Sequence, residues 1–177
     1  MRSMTSPAPL ILTLTLDDAN QAFFDEQRRR YFPPSRNYLG AHLTLFHALP
    51  GAEEAAIAEH LGAVAAAEPP LTLEVAAVKF MGRGVMYSLD CPPLVALHRR
   101  LQQHWQPWLS PQDQQGLHPH ITVQNKVDPA EARALHAQLS AGFKPFEALG
   151  TGLALWAYRG GPWEARQQWA FAGGPRG

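Results

Sequence analysis

His42-Leu43-Thr44-Leu45 is written twice in this chain, and His120-Ile121-Thr122-Val123 repeats it 78 positions later. Each copy reads His, apolar, Thr, apolar. Along a β-strand, residues two apart share a face, so each copy turns a histidine and a hydroxyl to one side. The two aliphatics face the other way and anchor the strand in a core, which fixes the register of the polar pair. One such tetrapeptide says little. Two in matching surroundings argue for a pair of like proton-transfer devices.

The surroundings do match. Leu10-Ile11-Leu12-Thr13-Leu14-Thr15-Leu16, an apolar run interleaved with threonines, reads as a strand. Asp17 and Asp18 give N-cap chemistry to a helix reaching about Phe32, where Pro33-Pro34 stops it. The first motif strand runs from Ala41 to Ala48, and a helix with Ile57, Leu61 and Val64 at helical spacing follows, ending at Pro69-Pro70. A strand over Leu71 to Phe80 turns at Gly82-Arg83-Gly84 into a hairpin partner, Val85 to Leu89. Pro92-Pro93 opens a helix with Leu94, Leu97, Leu101, Trp105 and Trp108 on one stripe. The second motif strand is expected from His118 to Val127, and Asp128-Pro129 starts a helix that buries Ala132, Leu135 and Leu139. Two strands, Phe146 to Tyr158 and Trp163 to Phe171, close the chain around Gly160-Gly161-Pro162.

Strand, helix, motif strand, helix, strand is thus written twice, over roughly residues 10–70 and 85–145. Two units are too few for a solenoid and read as a diverged duplication. The expected fold is α+β: two pseudo-symmetric sheet-and-helix lobes with a central cleft, in one bilobal domain covering residues 1–177. A pseudo-twofold axis would set His42 and His120 on opposite walls of that cleft.

The 177 residues suffice for a real core. Composition is 46% hydrophobic and 17% charged, which excludes a disordered chain. Fifteen Lys and Arg balance fifteen Asp and Glu, so no global field draws in a long nucleic-acid tract. The expected partner is a small nucleotide or an RNA end. The apolar run at Leu10 is too short for a membrane segment. Cys91 is the single cysteine, which permits no internal disulfide and suits a reducing, cytoplasmic setting. Met4 offers a second candidate start.

A histidine titrates near 6.5, so two facing imidazoles can serve as base and acid in one turnover. Displacement at phosphorus needs its attacking and leaving oxygens on opposite sides, and a symmetric cleft supplies that geometry. Thr44 and Thr122 would hydrogen-bond the non-bridging oxygens, whose charge grows in the transition state. The scheme requires no metal and no cofactor. His118 and His120, two apart on one face, also fit metal binding, but a catalytic zinc takes three protein ligands and neither motif supplies Glu, Asp or Cys in register.

The doubled pattern, in Ala41-His42-Leu43-Thr44-Leu45-Phe46-His47 and Pro119-His120-Ile121-Thr122-Val123-Gln124-Asn125-Lys126, resembles the 2H phosphoesterase superfamily. The likeness is to its 2'-5' RNA ligase-like proteins and cyclic nucleotide phosphodiesterases. It implies the bilobal fold and a metal-independent reaction on 2',3'-cyclic phosphate or 2'-5' phosphodiester linkages. It also implies His42, Thr44, His120 and Thr122 as catalytic positions. Family members often carry an aromatic and a basic residue in the hairpin before the second helix, where Phe80, Lys79 and Arg83 stand here.

Five residues are candidates for substrate contact: Arg30, Tyr31, Phe80, Arg83 and Trp156. Arg28-Arg29-Arg30 also suits a solvated helix end, where cations favour the dipole. Trp156, Tyr158, Arg159 and Trp163 around the Gly160-Gly161 turn could stack a base or pack a closing hairpin. His47, five residues past His42, falls on the opposite strand face if pairing stays regular. His60, His98, His104 and His136 read as surface or boundary residues of helices. A nucleotide-binding module with little catalysis is the alternative function, although a pure binder need not keep both histidines with both threonines.

Overall fold

The computed structural model describes residues 7–175, and Met4 lies outside them. Its elements are β1 (Leu10–Leu16), α1 (Asp18–Tyr31), β2 (Leu43–Leu49), α2 (Glu54–Ala67), β3 (Leu71–Phe80), β4 (Val85–Asp90), α3 (Pro92–Trp105), β5 (His120–Gln124), α4 (Pro129–Ala141), β6 (Phe146–Ala157) and β7 (Glu164–Ala170). The order β1-α1-β2-α2-β3 recurs as β4-α3-β5-α4-β6, as the duplicated sequence pattern requires. The fold is mixed α+β with an antiparallel sheet.

The sheet runs β2-β1-β6-β3-β4-β5, with β7 added to β6. Its long strand β6 is shared between two lobes. Phe146 to Gly150 pair with β3, while Gly150 to Ala157 pair with β1 on the other edge. β7 takes up the edge that β3 leaves, from Gly152 to Ala157. One lobe is therefore β2-β1-β6-β7 and the other β6-β3-β4-β5.

Each lobe is covered by a helix from the other half of the sequence. α1 lies on the second lobe, where Phe24 is fully buried, edge-on to Tyr87 of β4 at 5.4 Å and stacked on Phe146 of β6 at 6.2 Å. Burying such a phenyl ring contributes about 2–3 kcal/mol. Gln27 accepts a 2.9 Å hydrogen bond from the Tyr87 hydroxyl, satisfying two polar groups inside that interface. The start of α1 is fixed by Asp17, which accepts from Asn20 N at 3.2 Å and also from Leu149 N of β6 at 2.9 Å. α3 lies on the first lobe, where the His98 ring stacks on Phe46 of β2 at 4.6 Å and Trp105 packs edge-on to the same phenyl ring.

Both motif strands carry a β-bulge at the same place. Leu12 pairs with Phe46 and Thr13 with Thr44, so Leu45 has no partner across the ladder. Val85 pairs with Gln124 and Met86 with Thr122, so Val123 has none. The fourth residue of each motif is thus the bulge, and beyond it the alternation of faces is reset. Leu45 and Phe46 are both buried, as are Val123 and Gln124. His47 is consequently exposed on the face of His42 and Thr44, which corrects the placement expected from a regular strand. β5 also ends earlier than expected, because Lys126 sits in the left-handed region at φ 63° and turns the chain.

Two further expectations change. His98 is buried, not a boundary residue, and Trp108 is exposed because α3 ends at Trp105 and a single 3-10 turn, Gln106–Trp108, takes it off the stripe.

Candidate active site

His42 and His120 are held by the same local device. The Nδ1–H of His42 donates to the carbonyl oxygen of Gly40 at 2.9 Å, and that of His120 donates to the carbonyl of His118 at 2.9 Å. In both cases the acceptor lies two residues upstream, where the strand begins. A carbonyl can only accept, so Nδ1 carries a proton in both rings, and each Nε2 can take a proton when its ring is neutral or give one when its ring is an imidazolium. The arrangement leaves two anchored imidazoles with Nε2 available for proton transfer.

Strands β2 and β5 come close together, and two cavities beside them, each lined by residues of both motifs, are read as the halves of one cleft. One half of the cleft, about 380 Å³, has His42 beside Thr122 and Asn125. The other, about 160 Å³, has His120 beside Thr44 and His47. Each histidine therefore shares a wall with the threonine of the opposite motif and with the residue five places after the opposite histidine. The bulges bring in that third residue. The charge of His120 is among those that lower the His42 pKa.

Carbonyls at or next to the bulges are met by the exchanged helices. Arg28 of α1 donates from Nη1 to the Thr122 carbonyl at 3.0 Å. His98 of α3 donates from Nε2 to the Leu45 carbonyl at 3.0 Å. Without such donors a bulge leaves buried carbonyls unpaired. Asp113 does similar work beside His47, accepting from the backbone N–H groups of His47 and Ala48, each at 2.8 Å. Burial pushes the Asp113 carboxyl up, but hydrogen bonds from the His47 ring and these amides outweigh it and hold it below the usual range.

The environment of His42 is drier. Its ring lies 4.6 Å from that of Trp163, which comes from the β6–β7 hairpin. Burial pushes its pKa down to about 4, only partly offset by the hydrogen bond to Gly40, while the positive charges of Arg28, His120 and His47 lower it further. In the free protein at neutral pH, His42 is uncharged.

The candidate contact residues divide. Trp156 lines a 430 Å³ groove next to His42, shared with Trp163 and Tyr38, and its Nε1 donates to Thr13 Oγ1 at 3.0 Å. Arg30 turns outward to Glu26 at 3.6 Å. Tyr31 packs against the core, Phe80 lies under Arg133 with the cation 5.4 Å from its ring, and Arg83 donates to the Val127 carbonyl at 3.1 Å. Among the described residues, these four line neither half of the cleft. Arg28 lines it instead, buried on the face of α1 that carries Phe24 and Gln27. The i, i+3, i+4 spacing of those three residues was the available signal. Among the described residues, no group of three or more His, Cys, Asp or Glu side chains is placed to hold a metal ion.

The family model of the 2'-5' RNA ligase superfamily matches residues 16–162. The chain belongs to this family. Solved structures similar to it include TT0787 of Thermus thermophilus, with TM-score 0.66 and 16% identity, covering 93% of this chain and 98% of that one. LigT of E. coli complexed with NADP+ aligns with TM-score 0.59 and 22% identity over 94% of this chain and 99% of that one. LigT complexed with 3'-AMP aligns with TM-score 0.60 and 20% identity over 93% and 98%. No curated protein sequence matches. At these identities the likeness of the 2'-5' RNA ligase superfamily structures shows the shared 2H phosphoesterase fold.

Proposed function

We propose that this chain is a metal-independent phosphoesterase that opens 2',3'-cyclic phosphates or cleaves 2'-5' phosphodiester linkages of nucleotides or RNA ends. The observation that carries this reading is the doubled device: two imidazoles with matched Nδ1 anchors, each beside the threonine of the other motif. The scissile phosphorus lies between the histidines. One Nε2 takes the proton of the attacking hydroxyl or water as the P–O bond forms, and the other Nε2–H protonates the leaving oxygen as its bond breaks. Thr44 and Thr122 donate to the non-bridging oxygens. Because each half of the sequence supplies one histidine and one threonine, the chain works as one bilobal domain.

Nucleotide substrates are also supported by the E. coli LigT structures, which hold NADP+ and 3'-AMP. No helix among the described residues is long and apolar enough to cross a membrane, and a buried single cysteine, Cys91, suits the proposed cytoplasmic setting.

The test is a screen of chelator-treated protein over 2',3'-cyclic nucleotides, 2'-5' dinucleotides and cyclic-phosphate-ended RNA. Turnover of at least one class after chelation is expected. Tight binding of a 2'-5' dinucleotide without turnover on any linkage would make the chain a binding module instead.

A further inference from the structure

The two halves of the cleft differ in charge. The His42 half is lined by Arg28, Arg36 and Lys126, with no carboxylate among its described lining residues. The His120 half contains Asp113 and no lysine or arginine among its described lining residues. In a chain whose charges balance overall, three cations on one wall are a local excess.

Arg28 is the most telling of the three. It is 4% exposed, and a guanidinium stays protonated in proteins. Its hydrogen bonds go to the Asn37 side-chain oxygen at 3.3 Å and the Thr122 carbonyl at 3.0 Å, and its Cζ lies 4.0 Å from the centre of the Phe32 ring. Among the described residues no carboxylate accepts from it, and Nη2 has no hydrogen-bond partner. The Asp25 carboxylate acts on this buried cation only through space and makes no hydrogen bond to it, so an anionic ligand in the cavity is favoured. Lys126 adds a second sign. It keeps a left-handed φ of 63° that a glycine would adopt without strain. Neither Arg36 nor Lys126 has an ion-pair partner among the described residues.

A scissile phosphodiester carries one negative charge, and the two histidines and two threonines already address it. We infer that the pocket of Arg28, Arg36 and Lys126 holds a second phosphate group of the substrate, so that the preferred substrates are nucleotides bearing a phosphate besides the one being cleaved. This inference rests on the phosphoesterase reading of His42 and His120. The second group can be a terminal phosphomonoester or the next diester of a chain, and both present the same oxygens to a guanidinium fork.

The experiment is calorimetric titration of the whole chain with adenosine 3'-monophosphate and adenosine 3',5'-bisphosphate, beside hydrolysis of 2',3'-cyclic AMP with and without a 5'-phosphate. The bisphosphate is expected to bind at least about tenfold tighter, with the advantage shrinking as salt rises. Arg36→Ala and Lys126→Gly are each expected to remove most of that advantage and to weaken the monophosphate less than about threefold. Lys126→Gly also relieves the strained φ, so a failure to fold does not explain its loss. Equal affinity for both nucleotides, or an equal loss of both in the variants, would overturn the inference, since the cations would then serve the scissile phosphate. Hydrolysis of 2',3'-cyclic AMP with no gain from either a 5'-phosphate or a 5'-linked nucleotide sinks the pocket and spares the phosphoesterase reading. Tight, variant-sensitive bisphosphate binding without hydrolysis of either compound does the reverse. To separate the two sources of a second phosphate, a 2',3'-cyclic-phosphate-ended dinucleotide without a 5'-phosphate is compared with the 5'-phosphorylated mononucleotide. A gain for either supports the pocket and names its source.

Discussion

The wall bearing His42 and the wall bearing His120 are copies in backbone and unlike in chemistry. Both begin with an Nδ1 bond to the carbonyl two residues back, and both bulge at the fourth motif residue. Beyond the bulge they part. Phe46 stacks on His98 inside the first lobe, whereas its counterpart Gln124 is buried with Oε1 unpartnered among the described residues. His47 leans on Asp113, while Asn125 stands among Arg28, Arg36 and Lys126. On the proposed mechanism the difference separates what the reaction needs from what the substrate needs. Proton transfer at both ends of an in-line displacement would demand the shared backbone device. Recognition would act on one side, where the walls have diverged.

Removing a shared element should hurt equally on either wall. Thr44→Val and Thr122→Val are each expected to lower kcat about 10²-fold, with folding measured by circular dichroism unchanged, since on the proposed mechanism each deletes one donor to the transition-state oxygens. A large loss from one and none from the other would break the symmetry. The residues two places past the bulges are a gentler probe of the same comparison. His47→Ala and Asn125→Ala should each cost about tenfold in kcat/KM, that is roughly 1.4 kcal/mol.

Gly84 tests whether the second wall depends on its hairpin. A Cβ there would lie 1.9 Å from the Gln124 carbonyl oxygen, at the β5 bulge. Gly84→Ala should therefore destabilise the protein by about 2 kcal/mol or more in a denaturant titration, as the backbone must move. A change within about 0.5 kcal/mol would show that the contact is easily relieved.

The dry environment of His42 has a pH signature. The unfolded chain takes up a proton on this histidine near 6.5, and the folded chain only near 4. Between those values the unfolded state binds more protons, so stability falls as pH falls through the window. His42→Gln should lose less stability than the wild type between pH 7 and 4.5 in thermal melts. Parallel losses would mean that His42 is not desolvated. The smallest effect is expected at Arg30, which is paired with Glu26 on the outer face. Arg30→Ala should change nucleotide affinity by less than about twofold, against a clear loss for substitutions at Arg36.

Much of this was legible in the chain. Alternation in Leu10 to Leu16, the double prolines and the repeated tetrapeptide locate the elements and their duplicated order. What escaped were consequences of long-range pairing. Nothing local in Phe24, Gln27 and Arg28 says which sheet their face will meet, so the exchange of α1 and α3 between lobes cannot be read from periodicity. The bulges were half visible. Leu45-Phe46 breaks the alternation with two adjacent apolar residues, but Val123-Gln124 hides the same break behind a polar side chain. Extending the repeat to His-x-Thr-x-x-His and His-x-Thr-x-x-Asn would have flagged His47 and Asn125. Arg28 was obscured by its neighbours Arg29 and Arg30, which point elsewhere.

The central claim is that His42 and His120 act as one unit on one phosphorus. Hydrolysis of 2',3'-cyclic AMP by His42→Ala, His120→Ala and the double variant tests it most directly. Each single substitution should lower kcat by about 10³-fold or more, and the double should lose no more than the worse single, because half the pair is already useless. Substantial activity in either single variant, or losses that multiply in the double, would contradict it.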